Sequence, residues 1–453
     1  MCDLTNKNVD YKIGKGTFPT SYGSWKKLEI AELKAFYGVR TFIEQFCRDR
    51  QSSIWSKTQK HFLLYMPGPS EVFKHKRNKQ IAAALHYCDE NLALPREHVD
   101  YDRLYKVRIL LNELKVKFEK YYKPGCEISI DECMVPFQGR WGGKQYHKDK
   151  PVKWGVKVWM MCDAKSGYNL NFDVYAGKEK DLRDHITNMG LASGVVLKLA
   201  QSLYGKGHII YTDRFYTSPH LLHMLRQVDL SGCGTAMTNR KYFPKEIIKP
   251  KKECREQGAS EWRQCSKTGI VATRWTDRSP IYFLSNAHLP HHDDCTVERT
   301  EKSGSKVTVD ATPSVKEYNE FMGGVDLNDK MCKLDKSRKS YKWYIKIDRK
   351  AVMWAMYNGY VLYKERQPKT EYRTFMLDVI HALIGDHRPS PQNPQPGTNS
   401  SHTPTVDVTS YEKRCMACSK AKRKPSRTTF MCAECGVHLC IKKGSTCWQE
   451  FHS

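Results

Sequence analysis

Two spacings of apolar positions divide the chain. Between residues 25 and 120, IAELKAFYGVRTFIEQF and YDRLYKVRILLNELKVKFEKYY repeat their large apolar side chains every three and four residues, which predicts amphipathic helices. After Pro124-Gly125 the period falls to two. CEISIDECM (126–134) alternates, GVKVWMMCDA (155–164) reads as a second strand and YNLNFDVYAG (168–177) as a third, joined by a turn at Lys165-Ser166-Gly167. Helical spacing returns in LASGVVLKLAQSLYG, and a short apolar run, HIIYTD (208–213), predicts another strand.

Three meandering strands, a helix and a further strand make the first half of an RNase H-like, retroviral integrase-like α/β core. Residues 237–311 then interrupt it with basic, turn-rich sequence, the simplest reading of which is an inserted subdomain with Trp262 and Trp275 in its core. Helical pattern resumes in SVKEYNEF and YIKIDRKAVMWAMYNGYVLYKE. From Asp386 to Ser410 the chain is rich in proline and poor in large apolar residues, so an extended linker is expected. The expected organisation is a first helical part, 1–125; a core in two parts, 126–236 and 312–335, around an insertion, 237–311; a second helical part, 336–385; a linker, 386–411; and a cysteine-rich zinc module, 412–453.

Composition narrows the partner. The 453 residues carry a net charge of +26, while 40% apolar and 11% aromatic content suit a globular protein. Such an excess of positive charge points to phosphates, first of all nucleic acid. No run of about 18 apolar residues occurs, and the polar start MCDLTNKNVD has no signal-peptide core, so no membrane partner and a soluble intracellular protein are expected. Of 17 cysteines, those before residue 415 are scattered, as expected of reduced thiols rather than a disulfide scaffold.

The acids supply candidate chemistry. Asp131 falls at the end of the first alternating strand and Asp213 at the end of HIIYTD, while Asp326 and Asp329 share one face near a helix start. Converged carboxylates repel unless a cation lies among them, and Mg²⁺ held by carboxylates and substrate phosphate is the hard-cation answer. A pair of such ions would serve phosphodiester chemistry. The plainer alternative makes each Asp a turn former or a helix-start residue.

Two further features follow. KLDKSRKSYKWYIKIDRK (333–350) carries eight Lys/Arg against two Asp, interleaved with Tyr341, Trp343 and Tyr344. Its charges, among them Arg338, Lys339 and Lys342, are expected to meet DNA phosphates, and Trp343 and Tyr344 to pack in a core. Lys150, Lys153 and Lys157 are similar DNA candidates beside a core strand. At the end of the sequence, Cys415, Cys418, Cys432, Cys435, His438, Cys440, Cys447 and His452 offer eight ligands, enough for two Zn²⁺ in a cross-braced arrangement. That spacing also fits RING and PHD fingers, hence a ubiquitin ligase or histone reader. Lys422, Arg423 and Lys424, inside the module, favour DNA and nuclear import over a plain solvated loop.

In order along the chain, SIDECMVPFQGR, KPVKWGVKVW, GYNLNFDVYAGK, YTDRFYTSPHL and MGGVDLNDKM resemble the blocks of piggyBac-type transposases and the host proteins derived from them. The resemblance runs from about Thr5 to His452. It implies a nuclear, homodimeric cut-and-paste DNA transposase with a DDD-type site that cleaves transposon terminal inverted repeats and joins them to TTAA. It also implies that the helical parts bind DNA and dimerise, and that the cysteine module recognises transposon ends. Asp131, Asp213 and Asp326 match the family's Mg²⁺-binding aspartates, with two ions per site, and Asp329 matches a further essential acid. Two departures stand out: Arg214 replaces the usual Asn after the second aspartate, and the long N-terminal region of relatives does not precede Thr5. A guanidinium at 214 would bind phosphate or compete for Asp213. A domesticated DNA-binding protein without transposition is therefore the alternative.

Overall fold

The computed structural model describes residues 1–19, 21, 23–47, 54–55, 68–148, 150, 152–177, 190–254, 256–292, 294–301, 303–334, 340–387, 404–406, 412–421, 426–441 and 446–452. They form two compact units, Met1–Gly385 and Asp386–Ser453.

The first unit opens with helices α1 (Cys2–Gly14), α2 (Ile30–Phe46), α3 (His75–Ala84) and α4 (Arg108–Tyr121). Helix α2 coincides with the apolar repeat that predicts it. Helix α4 starts later than its repeat, because Asp102 accepts the Leu104 N–H and two N–H groups of the Arg108 guanidinium, building a turn where the spacing alone predicts a helix.

A nine-stranded sheet follows. Its first members are β1 (Glu127–Pro136), β2 (Lys144–Tyr146), β3 (Trp154–Asp163), β4 (Asn169–Val174), β5 (Ile209–Thr212) and β6 (Ser231–Thr235), with α5 (Gly190–Leu199) and α6 (Pro219–Gln227) between strands. Strand β3 pairs antiparallel with β1, β2 and β4, whereas β1, β5 and β6 run parallel, which is the RNase H-like arrangement. Ile128, Ile130, Val158, Phe172 and Ile210, at the centre of this sheet, are fully buried.

The segment 237–311 does not stand as a body of its own. Strand β9 (Pro280–Ser285) pairs with β6 and carries β8 (Val271–Thr276) and then β7 (Ser260–Gln264), so the insertion prolongs the core sheet. A hairpin, β10 (Thr296–Thr300) and β11 (Lys306–Asp310), shares a small core with Trp275, whose indole N–H donates to the Asp310 carbonyl. Trp262 differs from expectation: on the edge strand β7 it is 40% exposed.

Helices α7 (Pro313–Phe321), α8 (Gly324–Met331), α9 (Trp343–Arg366) and α10 (Tyr372–Ile384) complete the unit. The basic run 333–350 proves to be two different things. Arg338 and Lys339 lie outside the described residues. Within α9, by contrast, Lys346, Asp348 and Lys350 are buried; Asp348 takes Arg40 at 2.5 Å and the Tyr37 hydroxyl at 3.0 Å, and Arg349 pairs with Glu44. Helical periodicity turns those charges inward: Asp348 and Arg349 hold α9 to α2, and Lys350 holds it to α8. Trp343 stacks on Trp141 and Tyr344 is buried, as expected; Tyr341, before the helix, is exposed. Among the described residues no helix is long and apolar enough to cross a membrane.

Candidate active site

Sheet register brings the first two acids together. Ile130 of β1 lies opposite Thr212 of the parallel strand β5, so the next residues, Asp131 and Asp213, emerge side by side at the same edge of the strand pairing. Helix α8, which carries Asp326, is seated on β1. A Cβ at Gly324 would stand 2.4 Å from Ser129 Oγ and 2.8 Å from the Asp163 carbonyl, whereas at Gly323 it would meet nothing within 4 Å. Only Gly324 is therefore required for close approach, and it seats the start of α8 on the strand that carries Asp131. Asn328 fixes the other end, donating to the Gly167 carbonyl at 2.9 Å. Asp326 stands exposed in the first turn of this short helix.

The acids are unevenly neutralised. Burial and the neighbouring Glu132 charge push Asp131 up to about 7, and Asp213 adds to the effect. Burial also raises Asp213, although its carboxylate accepts the Phe215 N–H at 2.9 Å. Glu132 is the exception: against burial, Lys157, Lys150 and the Tyr216 hydroxyl, 2.8 Å away, hold it below its ordinary value. Neither Glu132 nor Tyr216 stands out in the sequence, because strand alternation assigns Glu132 to the face away from Asp131 and Tyr216 reads as core. The available signal is local: both flank the aspartates, in SIDECM and TDRFYT.

Among the described residues, the ligand atoms of Asp131, Asp213 and Asp326 do not all lie within 4.8 Å of one another. The donor set nonetheless suits a hard divalent cation, being carboxylate oxygen with no thiolate or imidazole. Asp131 is raised chiefly by burial and only secondly by the Glu132 charge, so a dry, acid-lined position stands at the end of β1. Asp329, on the same helix, is engaged elsewhere. It accepts from the buried Lys350 ammonium at 2.5 Å, tying α8 to α9.

The lysines expected at DNA separate likewise. Lys153 and Lys342 are exposed, the latter at the N-cap of α9. Lys150 and Lys157 instead turn toward Glu132, at 3.5 and 3.8 Å. Arg214 is exposed, and among the described residues its guanidinium has no ion-pair partner, so it does not hold Asp213. Lys422, Arg423 and Lys424 lie outside the described residues.

In the second unit, strands β12 (Pro404–Val406), β13 (Lys413–Arg414), β14 (Arg427–Thr428) and β15 (Phe430–Cys432) and helices α11 (Met416–Lys420) and α12 (Cys447–His452) accompany two thiol clusters. Cys415, Cys418, Cys440 and Cys447 form one; Cys432, Cys435 and His452 form the other. The ligands interleave along the chain, which is the cross-braced pattern. Cys418 Sγ lies 3.8 Å from Cys440 Sγ and 3.4 Å from Cys447 Sγ. Four thiolates around Zn²⁺ at about 2.3 Å would be about 3.8 Å apart, so the spacing fits. Burial opposes ionisation of Cys415, but the Cys418 and Cys440 N–H groups outweigh it and bring the thiol down to about 7. His438 is gathered into neither cluster. Its backbone bridges Met431 and accepts from the Met416 N–H, and its side chain is buried.

Similarity to known proteins agrees with this architecture. The family described as Transposase IS4 matches residues 1–360. Human PiggyBac transposable element-derived protein 3 is 28% identical over 96% of this chain and 72% of its own length. Human PiggyBac transposable element-derived protein 2 is 26% identical over 76% of this chain and 58% of its own. The fold superposes with a TM-score of 0.70 on piggyBac transposase from a cryo-EM synaptic complex with hairpin DNA, at 20% identity, covering 97% of this chain and 94% of that one. An RNase H-like sheet, acids at its strand ends and a match across 1–360 together place the chain in the Transposase IS4 family, with piggyBac-derived proteins as its relatives.

Proposed function

We propose that the chain is a Mg²⁺-dependent DNA transposase that cleaves transposon ends and joins them to TTAA target DNA. The observation that carries this reading is the register that sets Asp131 beside Asp213, with α8, the helix of Asp326, seated on the same strand. Asp131, Asp213 and Asp326 would hold two divalent ions, which supply an activated nucleophile and stabilise the leaving oxygen of a phosphodiester. The chain's own groups prepare that site. Lys157 and Tyr216 hold Glu132 ionised, Lys350 anchors Asp329 and hence α8, and the net charge of +26 attracts the DNA backbone. TTAA joining, a homodimer and a nuclear location come from the resemblance to piggyBac-type enzymes, and the DNA in the related synaptic complex supports a DNA partner. The two thiol clusters would hold Zn²⁺ and fold the module that reads transposon ends.

A second reading, DNA binding without transposition, is favoured by the relatives being transposable element-derived proteins. One experiment separates the two. Protein and Mg²⁺ are incubated with a supercoiled plasmid carrying the DNA that flanks this gene, alongside Asp131→Asn. Breaks next to TTAA that vanish in the variant support the transposase; retained binding with no break in Mg²⁺ or Mn²⁺ supports the second reading.

A further inference from the structure

Two exposed aromatic rings meet on the β2–β3 hairpin, away from the acids. Tyr146 on β2 lies directly opposite Trp154 on β3, and cross-strand partners project from one face, so their ring centroids are 4.8 Å apart. Both rings stay half in solvent, Tyr146 at 51% and Trp154 at 46% exposure. A pair that only tied the short strand β2 to its neighbour would gain by burying them. Lys144, also on β2, sets its ammonium 4.9 Å from the Trp154 ring centroid and donates to the Gly139 carbonyl at 3.1 Å. The surroundings are basic. From Phe137 to Trp154 the sequence carries Arg140, Lys144, Lys148, Lys150 and Lys153 against Asp149 alone, and Arg140, Lys148 and Lys153 are exposed. Asp131 faces Met160, six residues along β3 from Trp154, or about 20 Å at about 3.3 Å per residue. The pair therefore stands outside the reach of the acids and takes no part in their chemistry.

We propose that Tyr146 and Trp154 form a stacking platform for an unpaired base of bound DNA. The inference rests on the reading of the chain as a DNA-acting protein. Every base has a π-face, and its stacking on an exposed aromatic ring tolerates any sequence. Within a duplex that face is covered by neighbouring base pairs, so the platform grips only a base that has left the stack. Strand pairing fixes both rings in advance, so little freedom is lost when a base arrives. The exposed lysines of the hairpin supply charge for the flanking phosphates. They also argue against a protein partner, because lysine is depleted from the core of protein–protein interfaces.

The test uses the full chain with zinc retained and no Mg²⁺, since no cleavage is read. Binding of labelled single-stranded oligothymidine and of a duplex of equal length is followed by fluorescence anisotropy over a range of salt. Trp154→Ala is expected to bind the single strand about tenfold more weakly than wild type, with the salt slope unchanged. Its duplex affinity should stay at the wild-type value, which also reports that the variant is folded. Tyr146→Leu, which keeps an apolar side chain but removes the ring, should show the same selective loss, and Trp154→Phe should recover most of it. A strand carrying 2-aminopurine should be quenched by wild type and not by Trp154→Ala. Single-strand affinity and quenching equal to wild type in Trp154→Ala, or an equal loss for single strand and duplex in both Trp154→Ala and Tyr146→Leu, overturns the platform while leaving DNA binding intact. Loss of self-association by Trp154→Ala with single-strand affinity retained assigns the pair to a protein face and overturns it as well. Failure of wild type to bind either DNA overturns the DNA-acting reading, and the platform with it.

Discussion

The two candidate metal centres are built by opposite means. The cysteine module gathers its seven ligands from positions 415 to 452, and their spacing alone nearly defines the clusters. The candidate acid site draws Asp131 and Asp213 from separate strands set side by side by sheet register, with Asp326 on a helix seated on the strand that carries Asp131. On the proposed reading, metal would create the fold of the module, whereas in the core the fold would create the metal site. Local spacing therefore reveals the first kind of centre, and only register and packing reveal the second.

That difference is open to attack from both sides. The largest effect is expected from zinc removal. Chelation should unfold the module of residues 412–452, whose core consists mainly of the cysteines themselves with Val437, Leu439 and Phe451, while the unit Met1–Gly385 keeps its cooperative transition. Calorimetry with and without chelator would check this, and a single transition that shifts as a whole would contradict it. Next in size is Lys350→Ala. Removing the buried ammonium breaks its bond to Asp329, but that carboxylate is 43% exposed and keeps much of its hydration, so a loss of about 1.5–3 kcal/mol is expected, measured by chemical denaturation. Gly324→Ala should follow, with a loss of about 1–3 kcal/mol as Ser129 and the Asp163 carbonyl are pushed aside, whereas Gly323→Ala should be silent. Equal effects at the two glycines would mean that the close approach of α8 to β1 does not depend on Gly324.

The smallest effect has a definite sign. Asp131 is raised from 3.8 to about 7 in the fold, so its contribution to stability is full below the unfolded value and lost as pH rises through 7. In Mg²⁺-free buffer at pH 8, Asp131→Asn should therefore melt roughly 2–5 °C above wild type, and the gap should shrink as pH falls below 7. Differential scanning fluorimetry across that range suffices, and a variant less stable at pH 8 would mean that Asp131 makes a favourable contact instead.

Much of the core is legible in the sequence because its strands are buried and its helices long. Period-two and three-to-four-residue patterns locate β1, β3, β4, β5, α2 and α9 closely. What stays hidden depends on which way a side chain turns. The run 333–350 reads as one basic surface, yet the 3.6-residue period of α9 carries Arg349 and Lys350 inward to acids on other elements and buries Lys346 beside them. Glu132 is concealed by alternation, and the inward reach of Lys150 by its position in a loop, where no periodicity applies. In the module, His438 lies between Cys435 and Cys440 in CGVHLC yet is gathered into neither cluster, a placement that spacing alone does not record. The insertion is visible as a change in composition, but its junction with β6 is set by pairing that no local pattern records.

Whether three acids on separate elements act as one cation site is tested most directly by Mn²⁺ titration of wild type beside Asp131→Asn, Asp213→Asn and Asp326→Asn, each checked for an unchanged fold. Loss of tight Mn²⁺ binding in all three variants is the predicted result. Binding that survives Asp326→Asn at wild-type strength would contradict it, leaving α8 outside the site and Asp131 with Asp213 as a mere pair of buried acids.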